Sequence, residues 1–234
     1  MYILTKALYG LKQAPRAWNK RIDSFLHATR FKKCASDHGL YVKTNDYGDL
    51  LILCIYVDDV IFTRTNLKII GDFKHIMMKE FEMTDLDLMF YFLGIEVIQG
   101  DDGIFIHQRK FVAGFLKKFK MENSNSVKTP IEYGIKLTKE GDGRIVDATY
   151  FKQIVGSFRY LTCTRPDICY VVGLVSRYME LPQQVHLQVV KRIIRYIKGT
   201  TTFGLFYSSS KKIKIVRYSN SDWGWRLRRE EEHK

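Results

Sequence analysis

The sequence predicts an α+β fold, in which an antiparallel sheet with packed helices is followed by a mostly helical region. Up to residue 121, apolar runs bounded by turn residues alternate with segments of helical periodicity. Beyond residue 149, helical periodicity dominates, and a polar, turn-rich segment at residues 122–149 separates the two regions. A hydrophobic content of 46% and an aromatic content of 14% are typical of a globular chain, not a disordered one.

The first predicted element is a helix that begins at Pro15. Proline suits the first turn of a helix because its missing amide hydrogen would have no partner there. The residues that follow at helical spacing are Trp18, Ile22, Phe25, Leu26 and Thr29. This stripe predicts one side of the helix against a core.

Two predicted strands, residues 39–43 and 50–57, are joined by a loop rich in turn residues. The second strand leads to Asp58-Asp59, and residues 60–63 lead away from that pair. Because residues 50–57 are apolar at nearly every position, we expect this strand to be covered on both faces. The pair of carboxylates would then stand at the tip of a buried hairpin.

The later elements follow from the same patterns. A second amphipathic helix is predicted between Thr65 and Met83. A hairpin is predicted around Asp101-Asp102, which we interpret as structural turn residues because glycines flank them. The remaining predicted strands and helices are Tyr91–Ile98, Gly103–Ile106, Gln108–Met121, Tyr150–Tyr160, Asp167–Met179 and a helix from Pro182 through Lys198 that is capped by Gly199.

Asp58-Asp59 is the main chemical feature of the sequence. Buried neighbouring carboxylates are costly unless cations neutralise them, and aspartate oxygens are good ligands for Mg²⁺. Two such ions about 4 Å apart can clamp the attacking and leaving oxygens of a phosphoryl transfer. On these residues alone, an exposed hairpin turn without a metal is the favoured interpretation.

An ordered set of motifs accompanies this pair. Its members are Leu8-Tyr9-Gly10-Leu11-Lys12-Gln13-Ala14-Pro15-Arg16-Ala17-Trp18, Tyr56-Val57-Asp58-Asp59, Tyr91-Phe92-Leu93-Gly94-Ile95-Glu96, Thr164-Arg165-Pro166-Asp167-Ile168 and Arg195-Tyr196-Ile197-Lys198-Gly199-Thr200. Together they resemble the reverse transcriptase of copia-type LTR retrotransposons, an RNA-directed DNA polymerase within a Pol polyprotein. The resemblance covers nearly the whole chain and favours the metal-binding interpretation of the pair.

The resemblance implies a fold and a set of domains. Residues 1–121 would be a partial polymerase palm and the start of a thumb, without fingers and without the first palm strand. Residues 122–149 would be a linker and residues 150–210 a helical connection. Residues 211–234 would be the truncated start of a ribonuclease H-like domain and a tail.

The resemblance also implies residue roles. Asp58 and Asp59 would be the catalytic ligands of two Mg²⁺ ions. The residues expected to bind template or nucleotide are Gly10, Lys12, Gln13, Pro15 and Tyr56. The residues expected to grip the primer are Phe92, Leu93 and Gly94. The basic residues expected along the nucleic-acid path are Lys117, Lys118, Lys120, Lys191, Arg195 and Lys198. For the last three, the solvated face of a packing helix is an equally good interpretation.

Two features of the resemblance predict a loss of activity. Asn220 occupies the position of the first ribonuclease H aspartate, and asparagine lacks the charge that a metal site uses. The polymerase site of the family needs a third aspartate on an earlier strand, and Met1 begins after it. Neither Asp23 nor Asp37 is an obvious substitute. We therefore expect RNA-directed DNA synthesis only if missing Pol segments complement this chain.

The charged residues are unevenly distributed along the chain, and this distribution bears on the possible functions. Residues 46–103 carry four Lys/Arg against twelve acids, whereas residues 1–45 carry nine against two and residues 183–234 carry twelve against four. An acidic centre between basic arms suits a metal site beside an RNA/DNA template-primer and deoxynucleotides. The alternatives are a catalytically dead basic nucleic-acid-binding remnant and an interaction protein. Without a long apolar run, we expect a soluble intracellular protein with no membrane partner, in the cytoplasm or the nucleus.

Overall fold

The structure is a computed structural model that describes residues 12–65, 67–135, 137–138 and 143–209. The chain divides between Asp87 and Leu88 into two compact units. This division lies inside the segment 1–121 that the motifs predict to be one domain, and outside the predicted linker.

The first unit is an antiparallel sheet with helices. Its elements in chain order are α1 (Ala14–Ala28), β1 (Lys32–Lys33), β2 (Leu40–Thr44), β3 (Leu50–Tyr56), β4 (Asp59–Arg64) and α2 (Leu67–Glu80). The strands pair in the order β1-β2-β3-β4, with every pair antiparallel. The predicted helix at Pro15 is confirmed, and proline lies in its first turn.

The core of the first unit lies between α1, α2 and one face of the sheet. Its buried residues are Ile22, Leu26, Phe31, Tyr41, Leu51, Leu53, Phe73, Met77 and Phe81. Along β3, Leu51 and Leu53 are buried, whereas the residues that alternate with them are only half-buried. The expectation of a strand covered on both faces is therefore wrong, because the side chains of a strand alternate and this core forms on one side.

The second unit contains another antiparallel sheet and the remaining helices. Its elements are β5 (Tyr91–Phe92), β6 (Ile95–Gly100), β7 (Gly103–His107), α3 (Arg109–Lys118), α4 (Ala148–Leu161), a 3₁₀ turn (Pro166–Ile168), α5 (Cys169–Ser176), α6 (Gln184–Gly199) and β8 (Leu205–Ser208). Gly100 pairs with Gly103, so Asp101-Asp102 form the tip of the β6–β7 hairpin as predicted. The two sheets and the helices confirm the α+β class.

Helices α3 to α6 share a single core. Its most deeply buried side chains are Phe151, Ile154, Val155, Phe158, Leu161, Ile168, Val175, Val190, Ile193 and Ile197. The predicted helix Asp167–Met179 is shorter than expected, since a 3₁₀ turn precedes α5, which ends at Ser176. The predicted thumb helix and the predicted connection helices therefore pack together.

Two features of the second unit were not predicted. Strand β8 pairs with β7 and completes the sheet order β5-β6-β7-β8. Within residues 122–149, Val127, Ile131 and Val146 pack against the helical core. In its described part, this segment therefore contacts the helical core.

Candidate functional site

The carboxylate pair lies at the turn between β3 and β4. Tyr56 pairs with Asp59, so Val57 and Asp58 form a two-residue turn. Both carboxylates are exposed, and within the described residues neither side chain makes a hydrogen bond or an ion pair. The turn extends past the core, so the tip of the hairpin is not buried, and the exposure of the pair agrees with the exposed-turn interpretation of these residues. Their free oxygens nevertheless remain available to a cation.

The backbone of this turn is strained. Val57 has φ 57°, and a β-branched side chain rarely adopts this left-handed conformation. The Trp18 Nε1–H donates a hydrogen bond of 2.6 Å to the Val57 carbonyl oxygen. Strain of this kind persists where surrounding contacts hold it and is frequent at functional sites. Trp18 is thus a positioning residue for the turn that carries Asp58, although sequence spacing showed it only as a core residue.

Replacement of Trp18 by phenylalanine is expected to destabilise the first unit by about 1 kcal/mol, because one hydrogen bond is lost. We also expect faster hydrogen exchange at the amides of Asp58 and Asp59. The matched control is Phe81→Leu, since Phe81 contacts the Trp18 ring at 5.3 Å between centroids but makes no bond to the turn. If both variants accelerate exchange equally, Trp18 acts only through packing.

Three of the residues expected at the template and nucleotide lie near the beginning of α1. Lys12, Gln13 and Pro15 are exposed there, and Trp18 follows Pro15 by one helical turn. The Trp18 bond therefore brings the start of α1 close to the turn that carries Asp58. Tyr56 is 49% exposed at the end of β3. Gly10 lies outside the described residues.

Neither Asp23 nor Asp37 joins the pair. Asp23 accepts hydrogen bonds from Lys33 Nζ at 2.8 Å and from Tyr41 Oη at 2.6 Å. The Lys33 bond, with the Tyr41 bond beside it, holds the pKa of Asp23 below its ordinary value. Asp37 accepts from the Gly39 amide at 2.9 Å in a turn. In the described part of the chain, no three His, Cys, Asp or Glu side chains group to hold a metal ion.

The expected primer-grip residues form the β5–β6 turn. Phe92 pairs with Ile95, and the intervening Leu93 and Gly94 have φ 47° and φ 81°. The Tyr160 hydroxyl of α4 donates a hydrogen bond to the Leu93 carbonyl oxygen. A Cβ at Gly94 would clash with the same hydroxyl. The turn therefore requires glycine for both conformation and space.

Replacement of Gly94 by alanine is expected to destabilise the second unit by about 2–3 kcal/mol. A left-handed alanine costs about 1–2 kcal/mol and the displaced Tyr160 bond about 1 kcal/mol. The matched control is Gly156→Ala, because the added methyl group at this helical position meets nothing within 4 Å. That variant is expected to be stabilising. Urea unfolding measures both, and equal effects would contradict the argument.

The expected basic residues fall into two groups. Lys117, Lys118 and Lys120 are exposed on and just after α3, and Lys191 is exposed on α6. In contrast, Arg195 Nε donates to the Asn125 carbonyl at 2.6 Å and Lys198 Nζ to the Ser124 carbonyl at 2.5 Å. These two cations fasten α6 to the segment that follows α3, a role that the sequence did not predict.

Two of the family-like motifs meet in the second unit. Arg165 binds Asp167 through two hydrogen bonds of 2.9 and 2.7 Å, and it also donates to the Thr200 carbonyl and hydroxyl oxygens. The Tyr196 hydroxyl donates to Asp167 at 2.9 Å. Desolvation acts to raise the pKa of Asp167, but Arg165 holds that pKa below its ordinary value. The Arg165 side chain is 3% exposed, so these motifs include a structural ion pair.

A helix-backed antiparallel sheet with two free carboxylates at a hairpin tip is the arrangement expected of a polymerase palm. Residues 1–133 match the family described as reverse transcriptase (RNA-dependent DNA polymerase). The chain belongs to this family.

Curated relatives agree with this assignment. The chain is 35% identical over 220 residues to the retrovirus-related Pol polyprotein from transposon RE1 of Arabidopsis thaliana, covering 94% of this chain and 15% of the relative. It is 35% identical over 229 residues to the corresponding polyprotein from transposon TNT 1-94 of Nicotiana tabacum, covering 94% and 17%. It is 30% identical to the putative transposon Ty5-1 protein YCL074W of Saccharomyces cerevisiae, covering 93% and 71%. No solved structure matches the chain significantly.

Asn220 lies outside the described residues, so its predicted effect on ribonuclease H chemistry has no structural counterpart here. Among the helices that the structure describes, none has the length and apolar character needed to cross a membrane.

Proposed function

We propose that this chain contributes the hairpin carboxylates and part of the template-primer surface of an RNA-directed DNA polymerase. The observation that carries the proposal is the exposed Asp58-Asp59 pair, which has no partner within the described residues, in a strained turn that Trp18 holds. Reverse transcriptases bind a nucleic-acid template and nucleotides, and they generally use divalent metal ions.

The Asp58-Asp59 pair can supply part of the ligand set of a divalent metal ion. Two free carboxylates can supply oxygen ligands to Mg²⁺, with Asp58 as the direct ligand and Asp59 as the supporting one. When bound, the ions would neutralise charge that develops on the α-phosphate of the incoming deoxynucleotide. The chain's own part is positioning: the turn presents Asp58, and Lys12 and Gln13 lie near the start of the helix that holds this turn.

The chemical step is a phosphoryl transfer. The primer 3′-hydroxyl oxygen forms a bond to the α-phosphorus, the bond to the bridging oxygen breaks, and pyrophosphate leaves with the released electron pair. The proton of the 3′-hydroxyl passes to solvent. The reaction needs no covalent enzyme intermediate, so positioning and charge account for its acceleration.

A third carboxylate would complete the metal site. Strand β4 begins at Asp59 and forms an edge of the described sheet. An edge strand has unpaired backbone groups that can accept another strand. We propose that a first palm strand of the family type pairs there and brings a third carboxylate beside Asp58. Without it, this chain would bind nucleic acid through its basic residues but would not extend a primer.

Primer extension on a primed RNA template with Mg²⁺ and deoxynucleotides tests the function. We compare the chain with a polypeptide in which a family-type fingers segment and first palm strand precede it. Incorporation by the longer polypeptide alone supports the proposal and the need for a third carboxylate. Incorporation by the chain itself supports the polymerase function but contradicts the need for a third carboxylate from an added strand.

If neither polypeptide incorporates nucleotides, the polymerase proposal fails. Titration with RNA/DNA duplex at increasing salt then tests the second candidate function, nucleic-acid binding without catalysis. This candidate rests on the exposed Lys117, Lys118 and Lys120. Binding by phosphate contacts predicts an affinity that falls steeply with salt. Absence of binding at low salt would leave only an interaction protein.

A further inference from the structure

A cationic cavity lies in the second unit, between α6 and the segment that follows α3. Its volume is about 370 Å³, and its apolar lining includes Met121, Ile135 and Val189. The polar part of the lining comes mainly from one side of α6. This cavity is far larger than a single water requires and is within the size range of small-ligand sites.

The charges that line the cavity are not balanced. Lys191, Arg192 and Arg195 contribute three cations, and Glu132 contributes the only carboxylate among the described residues of the lining. The cations recur at helical spacing, so they lie on one side of α6. Like charges held together in this way repel each other, and an anion that binds among them relieves this repulsion.

Arg192 has hydrogen-bonding capacity that the fold does not use. Its Nη1 donates to Glu132 Oε1 at 2.5 Å and its Nη2 donates to the Thr129 hydroxyl at 3.0 Å. Its Nε is buried and has no hydrogen-bond partner within the described residues. A buried donor without a partner costs free energy. Because Nε has almost no exposed surface, a ligand in the cavity reaches it only when the Arg192 side chain shifts, for example on release from Glu132.

The other two cations also retain free donors. Arg195 uses Nε for the Asn125 carbonyl, and the structure records no bond from its terminal nitrogens to the described residues. Lys191 is exposed and is likewise without a recorded partner in the described part of the chain. A tetrahedral oxyanion can accept from several such donors at once, and arginine pairs with phosphate through two parallel hydrogen bonds.

We propose that this cavity binds a phosphate group, free or within a nucleic-acid strand, and that Glu132 is its internal competitor. The Glu132 side chain is 63% exposed, so it can move into solvent when phosphate takes its place on Arg192. The part of the proposal that concerns a nucleic-acid strand rests on the proposed function. Binding of free phosphate does not.

The alternative is a purely structural clamp, in which Arg192 and Arg195 only hold the segment at residues 125–132. The two interpretations predict opposite effects of Glu132→Gln. A clamp loses its ion pair, and phosphate affinity stays as it was. A phosphate site loses a competing negative charge, and we expect phosphate affinity to rise about tenfold.

The experiment is a titration of the full chain with inorganic phosphate at constant ionic strength in chloride. The signal is the Arg192 Nε–H resonance, identified by its loss in Arg192→Lys. We expect this resonance to shift saturably in the parent chain. Lys191→Gln is expected to weaken binding about threefold, since it removes an exposed cation of the site. Lys152→Gln, which removes an exposed lysine from α4, is expected to leave binding unchanged.

Two results overturn the proposal. One is the absence of a saturable shift with phosphate. The other is a phosphate affinity that changes equally in Lys191→Gln and Lys152→Gln, since general charge attraction would explain that result, or one that does not rise in Glu132→Gln, since a structural clamp would explain it.

A second titration with 5′-phosphorylated and 5′-hydroxyl oligothymidylate identifies the source of the phosphate. A preference for the phosphorylated strand assigns the site to a terminal or free phosphate. Equal affinity, sensitive to Lys191→Gln, assigns it to the strand backbone. If the oligonucleotide binds but neither Lys191→Gln nor Glu132→Gln changes its affinity, the cavity proposal fails, whereas the proposal of nucleic-acid binding stands. If free phosphate binds as expected and primer extension fails, the polymerase proposal fails alone.

Discussion

Replacement of Asp58 by asparagine is expected to lower primer extension by about 10³-fold or more in the polypeptide that carries the added palm strand. Asparagine has nearly the same shape but lacks the negative charge that holds a hard cation. Loss of a metal clamp removes several kcal/mol of stabilisation from the transition state, and each 1.4 kcal/mol corresponds to a tenfold change in rate. Single-turnover incorporation at saturating template-primer measures the effect.

The chain contains its own control for this substitution. Asp101 is also one of two adjacent aspartates at a hairpin tip, but glycines flank the Asp101-Asp102 turn. Asp101→Asn is therefore expected to leave incorporation unchanged. The melting temperature of both variants should equal that of the parent, because both side chains are exposed. If Asp58→Asn keeps full activity, the assignment of Asp58 as the metal ligand is wrong.

Replacement of Asp167 by alanine is expected to destabilise the second unit by about 3 kcal/mol. Arg165 would remain almost fully buried without its carboxylate, which is the costly way to break an ion pair. The Tyr196 hydroxyl would lose its acceptor as well. Because the Asp167 side chain is 29% exposed, we expect the lower end of the range for buried pairs. Urea unfolding with hydrogen exchange at α5 and α6 amides measures the change.

A double variant separates the charge from the packing. In Arg165→Met with Asp167→Leu, no uncompensated charge remains, so the double variant is expected to be more stable than Asp167→Ala alone. Arg159→Ala, which removes an exposed arginine from α4, is expected to change stability by less than about 0.5 kcal/mol. A double variant that is less stable than the single one would show that the ion pair itself stabilises the fold.

The sign of the pH dependence follows from the Asp167 pKa. The folded-state pKa lies below the ordinary value, so the ion pair contributes stability above the unfolded-state pKa near 4. That contribution decreases as the pH falls through the folded-state pKa. The stability difference between the parent chain and Asp167→Ala should therefore narrow in acid.

Sequence patterns predicted the parts of the fold that depend on local order. Helix α1 follows from Pro15 and the stripe that contains Ile22 and Leu26, and the β3–β4 hairpin follows from an apolar run interrupted by two acids. Strand β8 was missed because four residues give too short a pattern, and its pairing with β7 joins residues far apart in the chain. Long-range pairing of this kind leaves no local periodicity.

The candidate site likewise has residues that the sequence predicted and contacts that it did not predict. Motif order pointed to Asp58, Asp59 and Gly94, and the resemblance to reverse transcriptases rests on such motifs. No spacing rule predicted that the Trp18 indole would bond the Val57 carbonyl, since 39 residues separate them. Nor did it predict that Arg195 and Lys198 would bind carbonyls of the segment after α3.

The sequence by itself determined the family and the α+β class, because these depend on residue order and on local periodicity, and it predicted the Asp58-Asp59 pair as the candidate metal site. Tertiary structure alone decided that only one face of β3 is buried and that Arg165, Asp167 and Tyr196 form one network. Burial and hydrogen-bond partners depend on which segments pack together. The charge of a side chain does not show which distant residue it will contact in the folded chain.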